Sequence, residues 1–217
     1  MTDFSARRTM MVDTQVRPSD VTKFPIIDAM LSVPREEFVP NGQREAAYIG
    51  ENIELGEGRC ILEPRTLAKM LDALDVQPDE LVLDIGCAYG YSSAVIARMA
   101  EAVVAVESDE QMAQDAQETL NNQHADNVMV HCGELSEGAS EQAPFDAIIL
   151  QGAVADIPSQ IYDQLKEGGR MCALFLDGAL GEVKIGYKLD GRINWRREFN
   201  AAAPVLPGFE KQAAFAL

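Results

Sequence analysis

The sequence has few basic residues for its size. It carries 18 Lys plus Arg against 35 Asp plus Glu in 217 residues, a formal net charge of −17. Such a chain repels nucleic acids and anionic membrane surfaces at long range, so neither is an expected partner. It also has no apolar run close to the ~18 residues that a membrane-spanning helix requires. We therefore expect a globular protein that neither binds nucleic acid nor enters a membrane.

Paired cysteines of the C-x-x-C type are missing as well. The four cysteines lie far apart in the sequence, at Cys60, Cys87, Cys132 and Cys172. This spacing disfavours a zinc site or a redox motif, and a chain of this length needs no disulfide to fold. The segment that follows Arg7 and Arg8, from Thr9 to Asp13, is too short and too polar to be the apolar region of a signal peptide. We expect reduced thiols, no metal and a cytoplasmic location.

Short apolar runs alternate with helical segments in the middle of the chain. The predicted strands are 81–85, 102–106, 128–131, 145–150 and 170–175. One predicted helix begins at Pro64, and three more cover 91–99, 108–121 and 159–165. A capping box from Ser108 to Gln111 opens the helix at 108–121, and Gly168-Gly169 ends the helix at 159–165. This alternation predicts a doubly wound, mostly parallel α/β sheet.

The two ends of the chain differ from this core. The first sixty residues are broken by prolines, with room for short helices such as 26–32. Residues 183–189 and 193–199 flank Asp190-Gly191, a strong turn signal for an antiparallel hairpin. Residues 212–217 have the composition of one further strand. We predict a single domain over 1–217, with an N-terminal helical cover at 1–62, a cofactor-binding core at 63–178 and a hairpin and tail at 179–217.

A glycine-bearing turn follows the first of these strands and precedes a helix. It contains Asp84 and reads Gly86-Cys87-Ala88-Tyr89-Gly90, a G-x-A-x-G pattern. Ligands of open α/β sheets bind at the carboxyl ends of the strands, where this turn lies. A dinucleotide site would require a third glycine at Tyr91, so NAD is disfavoured. The pattern instead favours S-adenosyl-L-methionine, as a variant of the methyltransferase G-x-G-x-G loop.

The charges of S-adenosylmethionine suggest a role for each polar group. We expect Asp84 to hold the α-ammonium, backbone N–H groups near Gly86 and Gly90 to hold the carboxylate, and Glu107 to bind the ribose hydroxyls. Gly133-Glu134 would flank the adenine, and Gln151 would lie where the methyl group emerges. The predicted cofactor-binding set is Asp84, Gly86, Cys87, Ala88, Gly90, Glu107, Ser108, Gly133, Glu134 and Gln151.

Stretches across almost the whole chain resemble the protein-L-isoaspartate O-methyltransferase family. The matching segments are M-V-D-T-Q-V-R at 11–17, V-P-R-E-E-F-V-P at 33–40, G-E-G at 56–58 with Pro64, A-P-F-D-A-I at 143–148 and Q-L-K-E-G-G-R at 164–170. The resemblance implies a seven-stranded, Rossmann-like methyltransferase sheet with extra N-terminal helices over the active site. It also implies methyl esterification of isoaspartyl carboxylates in damaged proteins, and hence a protein or peptide substrate with an anionic acceptor.

The chain departs from the family in two places. The family segment before the Pro64 helix reads about Q-T-I-S-x-P, and its serine lines the substrate site; here Arg59 to Pro64 reads R-C-I-L-E-P. The family's Gly-Asp-Gly adenine loop is Gly133-Glu134-Leu135. The predicted substrate-binding set is Cys60, Ile61, Leu62 and Arg65. Because Leu62 offers no hydroxyl, we expect Arg59 or Arg65 to recruit the anionic substrate.

No catalytic residue is assigned. A carboxyl acceptor with a pKa near ~4 is already ionised at neutral pH, so a general base is unnecessary. The two histidines, His124 and His131, are expected to be a loop residue and a strand-end residue. Three hypotheses remain open: an isoaspartyl methyltransferase, the same enzyme with another acceptor, and a non-catalytic module that binds S-adenosylmethionine. An NAD-dependent reductase is disfavoured, and the sequence does not predict an oligomeric state.

Overall fold

A computed structural model describes residues 3–178 and 180–211 of the chain. The strands are β1 (Ile53–Gly56), β2 (Arg59–Ile61), β3 (Leu81–Ile85), β4 (Ala102–Glu107), β5 (Val128–Cys132), β6 (Phe145–Val154), β7 (Leu165–Asp177), β8 (Leu180–Leu189) and β9 (Arg192–Asn200). The α-helices are α1 (Phe4–Met11), α2 (Phe24–Ser32), α3 (Pro64–Leu74), α4 (Tyr91–Ala97), α5 (Glu110–Asn122) and α6 (Ser159–Asp163).

Seven strands form one sheet in the order β5-β4-β3-β6-β7-β8-β9. The first five in this order pair in parallel, whereas β8 is antiparallel to both β7 and β9. The predicted doubly wound sheet with an antiparallel C-terminal hairpin is therefore confirmed. Asp190 and Gly191 turn this hairpin with φ of 52° and 71°, values that a primed hairpin turn requires.

Helix α3 packs against the sheet through the apolar face that its sequence predicts. Leu67, Met70, Leu71 and Leu74 are all buried. Pro64 begins the helix, where its missing N–H costs nothing. The Arg170 guanidinium binds the carbonyl of Leu74 at 2.5 Å, which ties the end of the helix to β7. The helix is therefore held on the sheet by its apolar face and by a side-chain contact at its C-terminal end.

Two predicted helix boundaries were wrong. Asp109, rather than Ser108, caps α5, and its Oδ1 accepts the N–H of Met112 at 2.8 Å. The hydroxyl and the N–H of Ser108 instead face the carboxylate of Glu107, the last residue of β4, at 3.5 and 2.8 Å from its Oε1. Helix α4 ends at Ala97, two residues before the predicted end at Met99.

The segment around Gly168-Gly169 also differs from its prediction. The helix before it ends at Asp163, and Leu165 already pairs with Phe145 as part of β7. Gly168 has a φ of 79°, and the register with β6 shifts there, so the two glycines form an irregularity within a strand and do not end a helix. A Cβ at Gly169 would lie 2.9 Å from the carbonyl oxygen of Asp146, so only glycine allows this close approach.

The N-terminal residues supply the predicted short helices and one hairpin that was not predicted. Strands β1 and β2 pair antiparallel around Glu57 and Gly58, whose φ values are 50° and 72°. This hairpin delivers Arg59 to the edge of the site described below. The strand predicted at 212–217 lies outside the described residues. In the part of the chain that the structure describes, no helix combines the length and the apolar content needed to cross a membrane.

Candidate active site

The glycine-bearing turn between β3 and α4 lies at the carboxyl end of the sheet. Gly86, Ala88 and Gly90 all have positive φ, at 82°, 50° and 91°. The Gly86 N–H donates to the Val106 carbonyl at 2.8 Å, and the Gly90 N–H donates to the Cys87 carbonyl at 2.8 Å. These backbone donors, which the sequence suggested for the carboxylate of a ligand, already have partners within the protein.

Asp84 is fully buried at the base of this turn. Its Oδ2 accepts hydrogen bonds from the hydroxyls of Ser92 and Ser93, both at 2.6 Å, and its Oδ1 accepts one from Gln151 Nε2 at 2.7 Å. Burial raises the pKa of the Asp84 carboxyl above its ordinary value, and the three hydrogen bonds counteract this shift. Asp84, predicted within the first strand, and Gln151, predicted just past the fourth, are therefore brought together.

Glu107, the last residue of β4, is surrounded by donors. Its Oε2 accepts the Ala88 N–H at 2.8 Å, and its Oε1 accepts the N–H groups of Ser108 at 2.8 Å and Asp109 at 3.1 Å. These bonds join the turn after β4 to the turn after β3. Glu107 and Ala88 were both predicted to contact the cofactor, and in the structure they contact each other.

The guanidinium of Arg59 completes the shell around Glu107. Arg59 Nε donates to Glu107 Oε1 at 3.2 Å, and Arg59 Nη2 donates to Glu107 Oε2. The side chains of Arg59 and Glu107 are 3% and 0% exposed. The remaining nitrogen, Arg59 Nη1, is buried without a hydrogen-bond partner. Arg59 is thus an internal ion-pair partner, so this structure contradicts the expectation that it recruits an external anion.

A segment after β9 crosses the same edge of the sheet. The Ala153 N–H donates to the Pro204 carbonyl and the Leu206 N–H donates to the Ala153 carbonyl, both at 2.9 Å. The carbonyl of Phe209 accepts the Ala155 N–H at 2.8 Å. Leu206 and Phe209 are completely buried. The segment 204–209 therefore forms a wall of the site. The sequence, with prolines at 204 and 207, did not predict this position.

The predicted substrate segment lies against the glycine-bearing turn. Cys60, Ile61 and Leu62 are buried and line a small cavity together with Gly86 and Gln151. The cavity measures about 10 Å³, room for about one water molecule. A larger groove of about 600 Å³, near Phe24 and Met99, contains none of the predicted site residues.

Arg65 is separate from this cavity. Its guanidinium lies 5.7 Å from the centre of the Phe199 ring on β9 and 3.8 Å from Glu63. The side chain is 42% exposed. Its predicted role in substrate binding stays a prediction.

The remaining predicted cofactor residues flank the turn. Cys87 is buried within it, and burial raises the pKa of its thiol well above the ordinary value. The Gly133 N–H donates to the Glu107 carbonyl at 3.0 Å, so the turn after β5 adjoins Glu107. Glu134 is exposed at the rim of that turn. Among residues 3–178 and 180–211, no group of His, Cys, Asp and Glu could hold a metal ion.

Sequence reasoning missed three features of the site. Ser92 and Ser93 hold Asp84, and their position in the first turn after the glycines was an available signal. The burial of Arg59 depends on the unpredicted β1–β2 hairpin. The position of Leu206 depends on a pairing between residues far apart in the sequence, for which no local pattern exists.

The sheet order, the turn after β3 and the carboxylate that ends β4 define the class as Rossmann-like methyltransferases. A family model described as protein-L-isoaspartate(D-aspartate) O-methyltransferase (PCMT) matches residues 7–177. The chain belongs to this family, whose members depend on S-adenosylmethionine.

Individual relatives agree with this assignment. The chain is 36% identical over 171 residues to a protein-L-isoaspartate O-methyltransferase of Koribacter versatilis (strain Ellin345), covering 79% of this chain and 77% of that protein. A solved protein-L-isoaspartate O-methyltransferase has a TM-score of 0.80 at 24% identity, over 93% of this chain and 66% of that one. A Plasmodium falciparum relative, solved in complex with S-adenosyl-L-homocysteine, has a TM-score of 0.77 at 18% identity, over 95% and 99% of the two chains. These two structures establish the fold.

The residue types of the site suit S-adenosylmethionine, the cofactor of the family, but the room available for it is too small. Asp84, Gly86 and Gly90 at the turn after β3, and Glu107 at the end of β4, are the residue types expected of a site for this cofactor. The acceptor positions of Glu107 are filled, however, and a cavity of about 10 Å³ is far below the roughly 300 Å³ or more of a small-molecule site. With Arg59 on Glu107, neither that carboxylate nor the space in front of Gly86 accommodates S-adenosylmethionine.

Proposed function

We propose that the chain methyl-esterifies isoaspartyl carboxylates of damaged proteins. One observation carries this proposal: the segment from Cys60 to Leu62 adjoins Gly86 and Gln151 in a single cavity. The predicted acceptor segment and the predicted cofactor turn are therefore neighbours. S-adenosylmethionine, the cofactor of the family, would supply the methyl group.

The chemistry asks little of the protein beyond positioning. An isoaspartyl carboxylate is ionised at neutral pH, so no side chain has to remove a proton from it. Holding two reactants in the correct orientation can alone contribute about 7–11 kcal/mol to a rate enhancement. The apolar side chains of Ile61 and Leu62 would exclude water from the acceptor, which favours attack by a carboxylate.

A different acceptor is the second candidate. Leu62 stands where the family has a serine, so the hydroxyl donor that would anchor an isoaspartyl carboxylate is absent at that position. Cys60 is a poor substitute, because burial raises the pKa of its thiol to about 12 and a thiol is a weak donor. A non-catalytic module that binds S-adenosylmethionine is the third candidate. Because all three candidates bind the cofactor, only turnover on a defined peptide separates them.

We also propose that the protein acts in the cytoplasm on protein or peptide substrates. The four thiols are free, and that of Cys132 is exposed, which suits a reducing compartment. Immunodetection in separated cytoplasmic and envelope fractions tests the location, and recovery in the envelope would contradict it.

The activity is tested with a matched pair of peptides. The purified protein is incubated with S-adenosylmethionine and a short peptide that contains one isoaspartyl residue, beside the same peptide with a normal aspartyl residue. Mass spectrometry detects the gain of one methyl group. Methylation of the isoaspartyl peptide alone is expected. Failure to modify either peptide, under conditions where calorimetry detects cofactor binding, would reject the isoaspartyl assignment.

A further inference from the structure

The ion pair between Arg59 and Glu107 uses the group that the proposed function assigns to the cofactor. A carboxylate offers about four lone-pair positions. Glu107 accepts three backbone N–H groups and two N–H groups of Arg59, so none of its acceptor positions is left for a ribose hydroxyl. We propose that Arg59 is an internal competitor of the cofactor, and that S-adenosylmethionine binds only after the Arg59 side chain has left Glu107. This inference rests on the proposed role of Glu107.

Arg59 also fills the space in front of the first glycine of the turn. A Cβ placed on Gly86 would lie 2.9 Å from Arg59 Nη1 and 3.2 Å from Leu206 Cδ2. A small-molecule ligand that approaches the Gly86 backbone meets the same two groups. The competition is therefore steric as well as electrostatic.

The closed state, in which Arg59 pairs with Glu107, leaves one hydrogen-bonding group of Arg59 unsatisfied. Arg59 Nη1 is buried without a partner, whereas in water all five guanidinium N–H groups would be hydrated. Glu107 meanwhile keeps its hydrogen bonds to the N–H groups of Ala88, Ser108 and Asp109 when Arg59 is absent. Departure of Arg59 thus leaves a carboxylate that is still held in position and has free acceptor capacity.

Arg59 stands where the family segment, as matched by its sequence, has glutamine. Glutamine is shorter and uncharged, so it neither neutralises Glu107 nor reaches it with two donors. Arg59→Gln is therefore the informative substitution. Arg98→Ala is the matched control, because Arg98 also pairs with a carboxylate, that of Asp28 at 3.2 Å, but on the exposed surface.

The test measures binding of S-adenosyl-L-homocysteine by calorimetry to the wild type, Arg59→Gln and Arg98→Ala. If only a minor open population binds, the apparent affinity is reduced by that fraction. We expect Arg59→Gln to bind at least about tenfold more tightly than the wild type, and Arg98→Ala to match the wild type. Equal affinity of Arg59→Gln and the wild type, or no binding by a folded Arg59→Gln protein, would overturn the proposal.

A second measurement does not depend on any variant. The Nε–H proton of Arg59 is hydrogen-bonded and buried in the closed state, so it should exchange slowly with water, as followed in a nitrogen-15-labelled protein. Saturation with S-adenosyl-L-homocysteine should abolish this protection, while the Nε–H of Arg170 serves as an internal reference. Unchanged protection of Arg59 in the liganded protein would also refute the competition. Neither measurement uses turnover, so an inactive protein with tighter-binding Arg59→Gln would reject the proposed function and leave this inference intact.

Discussion

Arg59 at the start of β2 and Glu107 at the end of β4 form a buried, bidentate ion pair at the carboxyl ends of the parallel strands. Arg59 belongs to the hairpin that precedes the sheet, whereas Glu107 belongs to a parallel strand within it. Removing both charges from water costs free energy. The bidentate contact and the backbone N–H groups that donate to Glu107 offset this cost. The pair links the β1–β2 hairpin to the glycine-bearing turn, whose Ala88 N–H also donates to Glu107. Under the proposal above, the site opens when the contact between Arg59 and Glu107 breaks.

Substitution of Gly86 tests how tightly the site is closed. Gly86→Ala adds a methyl group at a φ of 82°, within 2.9 Å of Arg59 Nη1 and 3.2 Å of Leu206 Cδ2. Gly168→Ala is the matched control, because its φ is 79° and nothing lies within 4 Å of the added carbon. Both should lose about 1–2 kcal/mol for the left-handed backbone, and Gly86→Ala should lose a further ~1–3 kcal/mol from overpacking.

Urea-induced unfolding of the two glycine variants measures this difference directly. Similar midpoints for Gly86→Ala and Gly168→Ala would mean that Arg59 and Leu206 do not fill the space in front of the turn. The comparison cancels the backbone penalty, which the two variants share.

The hydroxyl missing at position 62 can be restored. Leu62→Ser and Leu62→Ala remove nearly the same buried volume, so each should destabilise the fold by about 2–5 kcal/mol. Only the serine variant supplies a donor, and one hydrogen bond to a charged group contributes about 1.5–3 kcal/mol. We expect kcat/KM for an isoaspartyl peptide to be about tenfold or more higher for Leu62→Ser than for Leu62→Ala.

Steady-state methylation of the isoaspartyl peptide by both variants, at a temperature where both are folded, provides the measurement. Equal values of kcat/KM would show that position 62 does not contact the acceptor carboxylate. The search for the acceptor would then turn to peptides without an isoaspartyl residue.

The sequence predicted the sheet well because each of its signals is local. Strand β3 was predicted with the bounds observed, and Asp190-Gly191 located the C-terminal hairpin, since hydrophobic runs and turn residues act within a few positions. The errors at Ser108 and at Gly168-Gly169 have a common cause. In both cases a strand extended further than its apolar run, and pairing with a neighbouring strand overrode the local signal for a helix boundary, a start at Ser108 and an end at Gly168-Gly169.

The site was less predictable because its decisive contacts are distant in sequence. The turn at Asp84 to Gly90 and the strand end at Glu107 were recognised from their spacing. That Arg59 fills the acceptor positions of Glu107, 48 residues away, follows from no local pattern. The same is true of Leu206, which meets Gly86 only because residues 204–206 pair beside Ala153.

The reactivity of the thiols follows from burial. Cys60, Cys87 and Cys172 are buried, and burial raises the pKa of each thiol, that of Cys60 to about 12. Cys132 is the exposed cysteine. A chromogenic disulfide reagent at pH 8 should therefore modify a single thiol in the native protein, and none in Cys132→Ser. In guanidinium chloride all four cysteines should react. Rapid modification of a second thiol in the native protein would show that the region around the turn opens readily.

Asp84 gives the stability a definite dependence on pH. Burial raises the pKa of its carboxyl, so between the unfolded and the folded pKa the native state binds the proton more tightly. Its contribution to stability is therefore greatest below the unfolded value, near ~4, and decreases as the pH rises toward the folded value. Asp84→Asn has no charge to bury and retains an oxygen that can accept from Ser92 and Ser93.

We expect Asp84→Asn to gain stability relative to the wild type as the pH rises from about 4 to 7. The free energy of unfolding in urea, measured for both proteins at several pH values, tests this. A difference that stays constant with pH would mean that the three hydrogen bonds to Asp84 fully offset its burial. A difference that changes in the opposite direction would mean that they, together with the nearby charge of Arg59, hold the pKa of this carboxyl below its ordinary value. The sign of the change with pH in the stability difference between Asp84→Asn and the wild type therefore distinguishes two cases. In one, the partners of Asp84 stabilise its charged form; in the other, burial of that charge destabilises the folded protein.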